Sequence, residues 1–147
     1  MTIQISGCKS DNAISALGIE DFVIYGDPKN EQEFNSMFRK VVGIDSTNSV
    51  ILSSNPSDFG ITWSQVAAKK LELEAAEPMR LLRIERDKKL QETDWRTNND
   101  YPYDNADAWA TYRAALRNLP AEIAAGNVTA PKIENNSLIF DDWPEQP

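Results

Sequence analysis

Asp100, Asp104 and Asp107, in the stretch DYPYDNAD, come nearest to a spacing with chemistry in it, because carboxylates a few residues apart can hold a calcium ion. The stretch lacks the central glycine and closing glutamate of a calcium loop, and Pro102 stands at a ligand position. No metal site is therefore expected there. The chain has no histidine, which removes Ser-His and Cys-His nucleophilic pairs and the commonest zinc ligand. Catalysis would fall to Asp, Glu, Lys, Tyr or Arg, and the carboxylates are scattered as on a solvated surface. Cys8 is the single cysteine, so no internal disulfide can form and no imidazole can activate the thiol. Gly-rich phosphate loops are missing. Two Asn-x-Ser/Thr triplets, at Asn127 and Asn135, follow no secretory signal and read as chance. No enzyme activity, cofactor or metal is expected.

A different question is posed by RIERDKKLQETDW, residues 83–95. It reads as a helix, yet Glu92 and Asp94 sit at its C-terminal end, where negative charge meets the negative end of the helix dipole. A second helix over ADAWATYRAALRNL would resolve the conflict. Paired antiparallel, the end of the first helix lies beside the start of the second, with Trp95 near Trp109 and Leu90 near Tyr112. Asp94 then reaches Arg113 or Arg96, or the free N–H groups that open the second helix. The bland alternative is a plain surface aspartate. Arg80, Arg83, Arg86, Lys88, Lys89 and Arg96 crowd the same region, interleaved with acids. That pattern fits a solvated helix laced with ion pairs, or a docking face for an acidic partner.

Composition sets the frame for these elements. A chain of 147 residues that is 41% apolar can bury a core as one domain or as a domain with an appendage. Its net charge of −8 argues against sequence-independent binding to nucleic acid or anionic membrane. No apolar run is long enough to span a bilayer, and the N-terminus lacks the basic and apolar segments of a signal peptide, so synthesis in the cytoplasm is expected.

The pattern along the chain predicts an α+β fold. Short strands are expected at TIQIS, DFVIYG and SVILSS. Between them, Asn30 and Glu33 form a capping box for a helix over 31–42, with Phe34, Met37, Phe38, Val41 and Val42 on one face as core and Gly43 ending it. NPSDFG is a turn. Thr62 and Gln65 form a second capping box, and Ile61 with Val66 a hydrophobic staple. Pro78 either kinks that helix or begins a new one. Asp104 or Asn105 caps the last helix, whose face is Trp109, Tyr112, Leu116 and Leu119, and Pro120 stops it. Three regions follow: a small unit of short strands with one amphipathic helix (1–60), an antiparallel helical hairpin (61–120) and an irregular, extended C-terminal tail (121–147). The tail's Leu138, Ile139, Phe140 and Trp143 either fold back on their own domain or dock on a partner.

Arg83-x-x-Arg86-Asp87, Thr93-Asp94-Trp95 and Trp109-x-x-Tyr112-Arg113-x-x-Leu116-Arg117-x-Leu119-Pro120 together resemble the signature of the phage tail assembly chaperone family. The closing Trp143-Pro144 with Pro147 is similar to the ending of such chains, and Lys89 stands where the family often has an apolar residue. EFNSMFRKVVG and NPSDFGITWSQV resemble N-terminal parts of related proteins of marine and cyanobacterial phages. The resemblance implies a non-catalytic protein that binds another tail or tail-fibre polypeptide during assembly in the host cytoplasm. The alternative is a structural component of the tail, neck or fibre attachment that stays in the virion. Arg83, Arg86, Asp94, Trp95, Trp109, Tyr112, Arg113, Leu116, Arg117, Phe140 and Trp143 are the candidate motif and partner-binding residues. Neither nucleic acid nor membrane is an expected partner, and an oligomer is left open.

Overall fold

A computed structural model describes residues 9–147. The strand expected at TIQIS, and Cys8, lie outside the described residues. Helices and two small antiparallel sheets make up the chain, in keeping with an α+β fold. Contacts divide it into two compact units, one ending at Glu77 and the other containing Pro78–Pro147.

The first unit opens with α1 (Ser10–Ala16), which the sequence analysis missed; Gly18, at φ +87°, follows it in the left-handed conformation that glycine takes without cost. β1 (Phe22–Ile24) and α2 (Glu31–Met37) come next. Asn30 Oδ1 accepts the Glu33 N–H at 2.9 Å, as the capping box requires, while the Glu33 carboxylate reaches past Asn30 to the Lys29 N–H at 2.8 Å. The expected helix over 31–42 stops at Met37, and Phe38–Ile44 forms the strand β2. Val41, Val42 and Gly43 are poor helix residues. Here the strand that contains them has a ladder on each side, with Val23↔Arg39 toward β1 and Val41↔Leu52 toward β3 (Val50–Ser53). Gly43 therefore belongs to a strand irregularity instead of a helix end. The misreading is understandable, because Phe34 and Phe38 face the core in either conformation. Their rings stack at 5.1 Å, and Phe59 meets Phe38 edge-on at 4.7 Å.

A turn of 3-10 helix at Pro56–Asp58 leads to α3 (Trp63–Glu92). Both halves of its capping box form: the Thr62 N–H donates to Gln65 Oε1 at 2.9 Å, and the Gln65 N–H to Thr62 Oγ1 at 3.3 Å. Ile61 and Val66 are buried in the same core. Asp27 holds this unit together. Its carboxylate accepts the Ser10 N–H and hydroxyl at 3.0 and 2.6 Å, Lys29 Nζ at 2.6 Å and Lys70 Nζ at 3.0 Å. Partial burial pushes the carboxyl up, but the hydrogen bonds from Lys29, Ser10 and Lys70 outweigh it and hold the group well below the usual carboxylate range. Pro78 does not begin a new helix: α3 runs on through it.

In the second unit, a 3-10 turn at Asp94–Thr97 follows α3, and then α4 (Ala106–Ala124). Asn105 precedes α4 without a side-chain cap; its amide oxygen accepts the Tyr101 hydroxyl instead, at 2.9 Å. Pro120 lies inside α4 rather than ending it. The reason is the apolar stripe, which continues from Trp109, Tyr112, Leu116 and Leu119 to the half-buried Ile123 at helical spacing. The helix ends at Gly126 (φ +78°), where the Gly126 N–H bonds the Ile123 carbonyl and the Asn127 N–H bonds the Glu122 carbonyl in a Schellman motif. The tail is not irregular throughout: β4 (Lys132–Glu134) and β5 (Ser137–Ile139) form a hairpin. Its turn residues Asn135 and Asn136 have φ +49° and +65°, the paired positive values of a type I′ turn, which asparagine tolerates.

Candidate functional site: an arginine-locked corner with an exposed aromatic face

Where α3 ends, four carbonyls lack helical partners and carry the negative end of the dipole. Arg113, from the middle of α4, supplies the cation. Its Nη1 donates to the Leu90 carbonyl at 2.6 Å and to the Thr93 hydroxyl at 2.7 Å, and its Nη2 donates to Asp94 at 2.5 Å. One buried guanidinium thus serves the helix end and the acid that follows it, and Arg113 rather than Arg96 is the partner of Asp94. Thr93 completes the lock by returning its hydroxyl to the Lys89 carbonyl at 2.8 Å. Beneath it, Trp109, Tyr112 and Leu116 form a buried cluster, and Leu90, Tyr101 and Trp143 pack against it. Burial first, and then the Glu92 charge, push the Tyr112 phenol up.

Trp95 does not close this seam. It is 48% exposed, and it does not stack directly on Trp109. Arg96 stands between the two indoles, with its guanidinium carbon 4.2 Å from the Trp95 ring centre and 3.8 Å from that of Trp109. Arg96 also donates to the Tyr101 hydroxyl at 2.9 Å. Tyr101 meets Trp95 at 5.6 Å and Tyr103 at 5.2 Å, so the rings continue across the surface to Tyr103, itself exposed. Arg96, Tyr101 and Tyr103 are residues that the sequence reading left out of the candidate set. The run of Trp95, Arg96, Tyr101, Tyr103 and Trp109 within fifteen residues was the available signal.

Phe140 and Trp143 meet edge to face at 5.0 Å, and Lys89 Nζ lies 5.1 Å from the Trp143 ring centre. The tail therefore folds back on its own unit. Lys89, Glu85, Leu138, Phe140 and Trp143 line a groove of about 280 Å³. Arg86 is bound to Asp87 at 2.7 Å. Arg83 and Arg117 are exposed and make no ion pair among the described residues. Of the candidate set, the structure thus gathers Asp94, Arg113, Trp109, Tyr112, Leu116, Phe140 and Trp143, and it leaves Arg83 and Arg117 on the surface.

The residues of this corner, from Leu90 onward, fall in one matched region. Residues 79–147 match the family model of the phage tail assembly chaperone protein. No curated protein and no solved structure matches the chain. The tail assembly chaperone match covers the corner, α4 and the β4–β5 hairpin through to Pro147. It supports a role in tail assembly. Among the described residues no group of acids or cysteines is placed to hold a metal, and no helix is long and apolar enough to cross a membrane.

Proposed function

We propose that the chain is a non-catalytic, chaperone-like tail assembly protein that binds another tail or tail-fibre polypeptide through the face made by Trp95, Arg96, Tyr101 and Tyr103. The observation that carries this reading is the state of Trp95. A large indole stays half in solvent, and it is held in place from behind by Arg96, which the buried Trp109 holds in turn. Trp, Tyr and Arg are the residue types that dominate binding hot spots, and a ring that is already fixed loses little entropy on docking. The family of residues 79–147 supplies the class of partner. Binding would take place in the host cytoplasm, where tails are assembled.

The test is capture of tail proteins from infected cells by tagged full-length chain, with the wild type compared with Trp95→Ala and Tyr103→Ala. Loss of capture with at most a small fall in melting temperature is expected. Undiminished capture by both variants would place the contact elsewhere. Quantitative mass spectrometry of purified virions and of lysate then separates a factor that leaves from a component that stays: the chaperone reading expects the chain in lysate and not at stoichiometric levels in virions.

A further inference from the structure

The face made by Trp95, Arg96, Tyr101 and Tyr103 is flanked by charge of one sign. Residues 97–112 hold Asp100, Asp104 and Asp107 and no lysine or arginine. Asp100 directly precedes Tyr101 and Asp104 directly follows Tyr103, so each is the chain neighbour of a ring in the face. Asp107 stands in the first turn of α4. All three are exposed, and among the described residues no ion pair or side-chain hydrogen bond takes up any of their carboxylates. Nor do they converge to hold a metal. Asp94 differs, because Arg113 answers its charge. The one cation of the face, Arg96, is half-buried between two indoles.

Rings and carboxylates here favour the same ligand chemistry. An aromatic face attracts a cation through its quadrupole, and an unpaired carboxylate attracts it by charge. The face already holds one such group: the Arg96 guanidinium lies against Trp95 and Trp109 and donates to the Tyr101 hydroxyl. Tyr103 is 60% exposed, and among the described residues no cation lies over its ring. An acidic segment docking here would meet three like charges. An uncharged one would cover carboxylates without giving them a partner, which costs desolvation with no return. The net charge of −8 adds a long-range pull on a basic segment and on no other kind.

We infer that the polypeptide segment that docks on this face is basic. It carries arginine or lysine among apolar residues, and its cations meet Asp100, Asp104, Asp107 and the exposed ring of Tyr103. The inference rests on the reading of this face as the docking surface and adds the chemistry of the partner. Three synthetic peptides of one length with blocked ends test it: leucine alternates with arginine, with serine or with glutamate, and each is titrated calorimetrically into the full chain. The arginine peptide should bind about tenfold more tightly than either other, and should weaken severalfold as salt rises from about 0.05 to 0.3 M. Asp100→Asn, Asp104→Asn and Asp107→Asn combined should weaken it roughly tenfold. Glu20→Gln, Glu31→Gln and Glu74→Gln combined remove the same charge from exposed positions of the first unit, and should leave binding within about twofold. Thermal melts confirm that both triple variants are folded. Should the aspartate variant unfold, the peptide ranking and the salt dependence of the wild type decide. No binding of the arginine peptide, a preference for serine or glutamate, indifference to salt, or equal loss in both triple variants would each overturn the inference. Capture of tail proteins keeps the two readings apart. If Trp95→Ala and Tyr103→Ala lose capture and the aspartate variant does not, the face binds a tail segment of another chemistry and this inference falls alone. If the ring variants capture as the wild type does, both readings fall.

Discussion

Arg113 and Asp94 form an ion pair in which the two members are not equivalent. The guanidinium is buried and the carboxylate faces solvent, with 6% and 63% of each side chain exposed. Removing Asp94 leaves Arg113 bonded to the Leu90 carbonyl and to Thr93. Removing Arg113 strips the end of α3 of its cation and leaves a polar hole beside the Trp109 cluster. Arg113→Ala should therefore cost about 2–4 kcal/mol in denaturant unfolding, and Asp94→Asn about 1 kcal/mol. Equal costs would show that the exposed acid, and not the helix end, is what Arg113 serves. For Trp95→Ala, the half-exposed ring predicts a cost below about 1.5 kcal/mol, well short of the roughly 3–5 kcal/mol of a fully buried tryptophan. Loss of tail-protein capture with no more than this small loss of stability would mark Trp95 as a contact residue.

Among the elements, the β4–β5 hairpin depends most on two residues. Asn135 and Asn136 hold positive φ, where a β-branched side chain is strained. Asn136→Val should lower stability by about 1–2 kcal/mol, readable as a fall in urea midpoint at constant slope. Asn136→Gly should be tolerated. If both variants behave alike, the turn does not need its left-handed backbone. α2 and β2 make the complementary point about period. Phe34 and Phe38 satisfy a helical spacing, yet the chain turns to strand between them because β1 and β3 lie on either side to pair with it. Local pattern could not see those neighbours.

For the molecule as a whole, acid response follows from Asp27, which ties the start of α1, the loop at Lys29 and the first half of α3. Its folded pKa is depressed, so the stabilisation is present above the unfolded value, about 3.9, and is lost as pH falls through and below it. Thermal melts from pH 7 to pH 3 should show Asp27→Asn less stable than wild type at neutral pH, with the gap beginning to narrow toward pH 3. A gap that is constant with pH would mean that the carboxylate's charge plays no part. The same melts compare the chain with a form lacking residues 131–147. Because Trp143 packs on the Trp109 cluster, the truncated form should melt lower, whereas a free docking arm would leave the melt unchanged.

The partner of Asp94 and the buried face of α4 were legible in the sequence because the decisive relations there are local or regularly spaced. An acid after a helix needs a cation, and Arg113 was available. The apolar stripe of α4 named its buried face, and the capping box at Thr62 and Gln65 fixed the start of α3. The family resemblance rested on the same spaced residues, and the match to residues 79–147 falls on them. Tertiary structure decided the rest. Whether Trp95 is buried depended on Arg96 entering between two indoles, a contact that no spacing encodes. Whether Phe38–Ile44 is helix or strand depended on pairing partners from residues 22–24 and 50–53. Whether Pro120 stops a helix depended on Ile123 having a place to pack beyond it, and sequence position alone does not say where such a place exists.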